Sequence, residues 1–227
     1  MDAATLGVPK GWIIFGDNMS EDLVKKITEK IMQRADRETQ PIIVNISNRH
    51  WHCTQETFEK LFGEGSCPTN IRDLIQPGQY ACRETVTLKG PKGELKKVRL
   101  IAPFRPYNQI ELSRTDCHAL GIEAPVRDSG NVKGSSPITL IGPKGEVHLE
   151  EGAIVQMRHI HFSPSQAQAY GVKNMEYAKI KIGTPPRDGV YNVLCRVRED
   201  MNLECHLDTD EGNALSVKNG DWGVIVE

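Results

Sequence analysis

The chain has 227 residues, 38% of them apolar and 26% charged, with a formal net charge of -2. That length allows one or two domains with a buried core, and the near-neutral balance offers no electrostatic footprint for nucleic acid or an anionic membrane. No apolar run approaches the roughly 18 residues that span a bilayer, and WIIF at 12–15 is too short for the core of a secretory signal, so an intracellular protein is expected.

Residues 20–37, SEDLVKKITEKIMQRADR, place Leu23, Val24, Ile27, Ile31 and Ala35 at steps of three and four, which predicts an amphipathic helix with Ser20 as its N-cap. DRETQP behind it reads as a polar linker, and the β-branched PIIVNIS starts the folded body near Gln40. From there Gly and Pro punctuate short β-branched runs, so the fold class is mainly β. Two segments nearly repeat, TVTLKGPKGELKKVRLI (85–101) and PITLIGPKGEVHLEEGAI (137–154). Each GPKGE is read as a tight turn between two strands, without a chemical role. The six cysteines, Cys53, Cys67, Cys82, Cys117, Cys195 and Cys205, lack CxxC pairing, and no disulfide framework is expected.

A second repeat carries the chemistry. HWHCTQETFEKLFG (50–63), QIELSRTDCHALG (109–121) and HIHFSPSQAQAYG (159–171) each run from a strand into a short helix. Thr54, Ser113 and Ser163 fit N-caps, Gln166 completes a capping box with Ser163, and Gly63, Gly121 and Gly171 are expected as left-handed C-caps. In this register His52, Glu111 and His161 are equivalent. On a strand alternate side chains share a face, so His50 and His52 form one two-nitrogen chelate and His159 and His161 another. Glu111 adds a carboxylate, and His206 in LECHLDTDEGNA is a sixth donor.

Zinc takes neutral imidazole and carboxylate, and a catalytic site keeps three protein ligands and one open position. The six donors divide into His50, His52 and Glu111 for one metal and His159, His161 and His206 for another. His118 and His148 belong to neither pattern. Arg105, in a Pro-flanked loop six residues before Glu111, is suited to clamp a phosphate, and Ser129 in RDSG forms a weaker anion-binding turn. No Walker loop, GxGxxG or GxSxG occurs, which removes the familiar nucleotide and serine-hydrolase routes.

The motifs SNRHWHCT, QPGQYACRETVTLKGPKGE, ELSRTD, LGIEAPVRDSG, LIGPKGEVHLEEGAI, RHIHFSP and HLDTDEGNA, in this order, resemble the phosphate propanoyltransferases of bacterial microcompartments, the metal-dependent phosphotransacylases. The resemblance covers roughly residues 41–227. It implies two β-barrels capped by short α-helices after an N-terminal amphipathic helical extension: residues 1–40 as the extension, 49–156 as a central barrel, and 157–227 as a C-terminal barrel completed by strand 41–48. It implies two Zn2+ per chain, or other divalent metals, on the two triads above. Arg105 becomes the phosphate-positioning residue, and the coenzyme A contacts fall on Ser47, Arg72, Arg99, Ile101, Ser129, His206 and Asn213.

The implied reaction moves a propanoyl or acetyl group between coenzyme A and inorganic phosphate. A zinc-coordinated coenzyme A sulfur would be the thiolate that attacks the acyl phosphate. Two other readings stay open: metal-dependent hydrolysis by zinc-bound hydroxide, and a non-catalytic module that uses zinc only to fold. The implied partners are coenzyme A, acyl phosphate and microcompartment shell or core proteins docking the Leu23, Ile27 and Ile31 face. The implied location is the microcompartment lumen in a propanediol-degradation setting, and homo-oligomer formation is left open. The other fate of that helix is packing on the barrels.

Overall fold

The computed structural model describes residues 20–226, so WIIF lies outside the described residues, as does the Ala35 side chain. In chain order the first part holds α1 (Glu21–Thr39), β1 (Ile42–Ser47), β2 (His50–His52), α2 (Gln55–Phe62), β3 (Asn70–Asp73), β4 (Tyr80–Lys89) and β5 (Glu94–Ala102). Next come β6 (Gln109–Leu112), α3 (Arg114–Leu120), β7 (Val126–Arg127), β8 (Ser136–Ile141) and β9 (Glu146–Gln156). Last are β10 (His159–Phe162), α4 (Pro164–Tyr170), β11 (Tyr177–Ile182), β12 (Gly189–Val197), β13 (Glu204–Asp208), α5 (Thr209–Leu215) and β14 (Asp221–Val226).

The mainly-β expectation holds, and the strands form two six-stranded barrels. One closes in the order β1-β13-β10-β12-β11-β14. In the other, β4-β5-β2-β6-β9 run side by side and β8 joins β9 back to β4, while β3 and β7 add to its margins. Each barrel has its own apolar core, one built around Trp51, Phe58 and Leu100, the other around Val44, Phe162 and Ile180.

The two barrels repeat one pairing scheme. β2 is parallel to β5 and antiparallel to β6, which is parallel to β9. In the same relation β10 is parallel to β12 and antiparallel to β13, which is parallel to β1. The structural partner of β6 is therefore β13, and the three-copy repeat has a fourth copy. Glu204-Cys205-His206-Leu207 leads to the N-cap Asp208, α5 and the left-handed C-cap Ser216. Asp replaces Ser or Thr at the cap, and Ser replaces Gly in a conformation that costs an L-residue roughly 1 kcal/mol, so the sequence hides this copy.

Thr54, Ser113 and Ser163 are the N-caps of α2, α3 and α4, each accepting from the backbone N–H three residues on. Capping boxes close at Ser113 with Asp116, Ser163 with Gln166 and Asp208 with Glu211. Gly121 and Gly171 are left-handed, but Gly63 is not: its φ is 110° with ψ 151°. The Gly63 carbonyl instead accepts from the Ser66 N–H and hydroxyl, which turns ψ to the extended value.

The GPKGE segments are hairpin turns, and each also seats a helix end. Lys92 N–H donates to the Leu120 carbonyl at the end of α3, and Lys144 N–H donates to the Leu61 carbonyl of α2, both at 3.0 Å. These bonds satisfy carbonyls that a helix terminus leaves free. Gly90 and Gly142 are required there because a Cβ would strike Leu120 and Leu61 respectively.

Helix α1 extends beyond the expected end: DRET is helical through Thr39, since nothing before Pro41 breaks it, so the polar linker is absorbed. It lies against β14 and α4, and the Tyr170 hydroxyl donates to the Gln40 carbonyl at 3.2 Å. Its stripe is open to solvent, with Leu23, Val24, Ile27 and Ile31 44%, 43%, 40% and 61% exposed. Among the described residues no helix is long and apolar enough to cross a membrane.

Candidate functional site

β2 and β6 run antiparallel with His50 opposite Glu111 and His52 opposite Gln109. β10 and β13 place His159 opposite His206 and His161 opposite Glu204. Each barrel thus presents four polar side chains from two adjacent strands, and all of them except Gln109 line one cleft of about 840 Å³.

In the first quartet, His50 Nε2 lies 3.4 Å from Glu111 Oε2 and His52 Nε2 lies 3.7 Å from Glu111 Oε1. Backbone carbonyls fix both tautomers: His50 Nδ1–H donates to Asn48 O and His52 Nδ1–H to Ile101 O, each at 2.8 Å. A carbonyl can only accept, so both Nε2 lone pairs face the carboxylate. Burial lowers the His52 pKa to about 4, which keeps it neutral. Burial works to raise Glu111, but the positive charge that protonation places on the facing His50 and His52 imidazoles outweighs it, and the carboxyl is held well below its usual range. Ser129 Oγ–H and Gln109 Nε2–H donate to Glu111 Oε1 at 3.0 and 2.5 Å, while its buried Oε2 has no hydrogen-bond partner.

In the second quartet, the His159, His161 and His206 rings lie with centroids 4.6, 5.1 and 4.9 Å apart pairwise. His159 Nδ1–H donates to Met157 O at 2.8 Å, the same two-residue step back that His50 makes. Burial drives His159 to about 3 and His161 further down. Both ring nitrogens of buried His161 lack a hydrogen-bond partner, an arrangement expensive to keep in a protein interior unless a ligand completes it. His206 Nδ1 meets Ser47 Oγ at 3.2 Å, and its Nε2 lies 3.0 Å from Glu204 Oε2.

Glu204 is a donor that the sequence pattern missed. The Glu204, His161 and His206 ligand atoms lie within 4.8 Å of one another, as do those of His50, His52 and Glu111. Asn45 Nδ2–H and Gln76 Nε2–H donate to its two oxygens, each at 2.7 Å. Burial raises the Glu204 carboxyl, but His206 and these amides prevail and bring it to about 2. Alternation along LECHLD held this signal, since Glu204 shares a face with His206.

The arginine of each RHxH also has a place. Arg49 Nε lies 2.8 Å from Asp116 Oδ1, and Arg158 Nη1 lies 2.6 Å from Glu211 Oε1. Asp116 and Glu211 are the third-position carboxylates in the capping boxes of α3 and α5, so each arginine ties its HxH strand to the neighbouring helix.

Ser47, Arg72, Arg99, Ile101, Arg105 and Ser129 line the same cleft as His50, His52, Glu111, His159, His161 and His206. Asn213 does not; it is exposed on α5. Arg105 Nη1–H reaches Tyr107 OH at 3.4 Å, and Arg99 donates to the Cys82 carbonyl. Arg196, which the sequence pattern did not single out, also lines the cleft and pairs with Asp128 at 3.3 Å. His118 is exposed, and His148 meets Thr139 Oγ1 at 2.9 Å away from the quartets. All six cysteines are free, and burial pushes Cys53 to about 12 and Cys82 to about 11, so these thiols stay protonated and are poor nucleophiles.

The comparisons with known proteins agree with one another. The phosphate propanoyltransferase family matches residues 43–218. A phosphate propanoyltransferase of Thermotoga maritima is 46% identical, covering 88% of this chain and 99% of its own. One from Salmonella typhimurium is 44% identical over 88% of this chain and 92% of its own, and one from Priestia megaterium is 41% identical over 91% and 97%. With the motifs in order along most of its length, the chain belongs to the phosphate propanoyltransferase family and is an acyltransferase enzyme.

Proposed function

We propose that the chain exchanges a short acyl group, propanoyl or acetyl, between coenzyme A and inorganic phosphate: acyl-CoA + phosphate = acyl phosphate + CoA. The observation that carries this reading is the meeting, in one cleft, of two imidazole and carboxylate clusters with several arginines. Its volume lies in the range that takes cofactor-sized ligands.

The donor chemistry fits zinc, or another divalent metal, because the histidines are buried and neutral, the carboxylates ionised, and several donor atoms unpartnered. His50, His52 and Glu111 would hold one ion, and His159, His161 and His206 a second, with Glu204 in reach. When bound, the metal would supply the Lewis acidity that ionises the coenzyme A thiol at neutral pH. The rest falls to the chain: the Arg105 guanidinium neutralises charge that grows on the departing phosphate, which favours the transition state over the ground state. Ser47, Arg72, Arg99, Ile101, Ser129, His206 and Asn213 are our proposed coenzyme A contacts, Asn213 from the α5 surface.

The two separate cores support a central domain of residues 49–156 and a C-terminal one of 157–227 with 41–48. The open apolar stripe on α1 supports its use as a docking helix for microcompartment shell or core proteins, with the enzyme in the lumen.

The test is phosphate-dependent thiol release from a series of acyl-CoA substrates by the metal-loaded enzyme. His159→Ala, His206→Ala and Glu111→Gln should each lower bound metal and abolish the exchange. Thiol release at an equal rate without phosphate would make the protein a hydrolase instead.

A further inference from the structure

The four-strand plan puts an arginine beside the second quartet that the assignments above leave without a role. In the parallel pair β10 and β12, Arg196 is the register partner of His161, so both side chains leave the same face. Its charge is felt at His159 and His161, as that of Arg105 is at His52. Each quartet therefore has its own guanidinium, Arg105 from one barrel and Arg196 from the other.

The Arg196 side chain is only 15% exposed. Among the described residues its one ionic partner is Asp128, with Nε 3.3 Å from Oδ1. That contact lacks hydrogen-bond alignment, since the buried Asp128 Oδ1 has no hydrogen-bond partner. A guanidinium that lines the cleft and is paired with a single misaligned carboxylate oxygen is open to a better anion. Asp128 stands next to Ser129, whose hydroxyl holds Glu111, so this ion pair bridges the two halves of the cleft.

We propose that Arg196 is a second binding residue for the phosphate that is transferred, and that Asp128 occupies its guanidinium until that anion arrives. The inference rests on the acyl exchange proposed above. One arginine fork engages two oxygens of a tetrahedral anion, and a second fork from the opposite barrel engages the others, which fixes the anion between the two quartets. Asp128 then acts as a competing anion that limits retention of the phosphate product.

The experiment measures inorganic phosphate binding to the metal-loaded enzyme by titration calorimetry, with KM for phosphate and for acyl-CoA alongside. Arg196→Gln should weaken phosphate by roughly tenfold or more while the KM for acyl-CoA stays within about twofold, the loss expected for a charge-assisted hydrogen-bonding pair. Arg196→Lys, with the charge but no fork, should fall between. Asp128→Asn should tighten phosphate by about threefold, because it removes the competing charge. The opposite signs separate this role from a structural latch. Asp128→Asn weakening phosphate as Arg196→Gln does, or a folded Arg196→Gln that binds phosphate like wild type, would overturn the assignment. A wild-type enzyme with no phosphate dependence would instead overturn the acyl-exchange reading itself.

Discussion

Arg158 and Glu211 are joined at 2.6 Å between Nη1 and Oε1, and this pair fixes the strand of His159 and His161 to the helix that follows His206. Glu211 already serves the capping box of α5, so the arginine extends a local motif into a tertiary tie. Arg158→Met should remove the tie together with the guanidinium's place 5.3 Å over the Tyr191 ring. We expect a loss of about 1 kcal/mol in urea unfolding, because the pair is only partly buried. Metal affinity of the second quartet should fall more than that of the first, and equal losses at both would contradict the tie.

Glu204 and Gln109 hold equivalent places in the two barrels, and only Glu204 is charged. Glu204→Gln preserves shape, yet replaces the acceptor of the Asn45 and Gln76 amides with a group that cannot accept at both positions. Metal affinity at the second quartet should drop roughly 10–100-fold, the usual size for losing an outer-shell partner or ligand. Competition with a chelator measures it, and an unchanged affinity would remove Glu204 from the metal's surroundings.

The metal-free protein should lose stability on mild acidification. His52 and His159 have folded pKa values of about 4 and about 3 against 6.5 in a free side chain, so below pH 6.5 the unfolded chain binds more protons than the folded one. Stability then falls as pH drops from 6.5 toward 4, by about 1.4 kcal/mol per pH unit for each histidine at most. Between pH 7 and pH 5 the two together cost about 4 kcal/mol. Chemical denaturation of chelator-treated protein across that range checks this, and a flat profile above pH 5 would refute it.

Gly142 lets the second hairpin turn approach the end of α2. An added Cβ would lie 2.5 Å from the Leu61 carbonyl and 2.8 Å from its Cβ. Gly142→Ala should therefore lower stability by about 1–3 kcal/mol through overpacking. A thermal midpoint equal to wild type would show that the turn shifts freely.

Deleting residues 1–38 should leave the rate per active site unchanged, because the donors on the cleft begin at Asn45. Self-association and co-purification with microcompartments should fall as the open stripe is removed. Loss of bound metal in the truncated protein would instead make α1 part of the core, through its contacts with β14 and α4.

The mainly-β class, the hairpins at both GPKGE turns, the caps Thr54, Ser113 and Ser163, and the two HxH strands were legible in the sequence, since these follow from periods and local hydrogen bonds within a few residues. It also supplied Glu111, because the cap register aligned it with His52 and His161. A place for strand 41–48 in the C-terminal barrel came from the family resemblance, whereas the pairing that makes β6 answer β13, and the places of Glu204, Arg196, Arg49 and Arg158 at the site, came from the tertiary structure alone. Those relations depend on which strands lie side by side across 100 residues or more, as when Asn45 reaches Glu204, 159 residues away. Side-chain alternation records the face a residue takes along its own strand, whereas the neighbour it meets there is set by barrel closure.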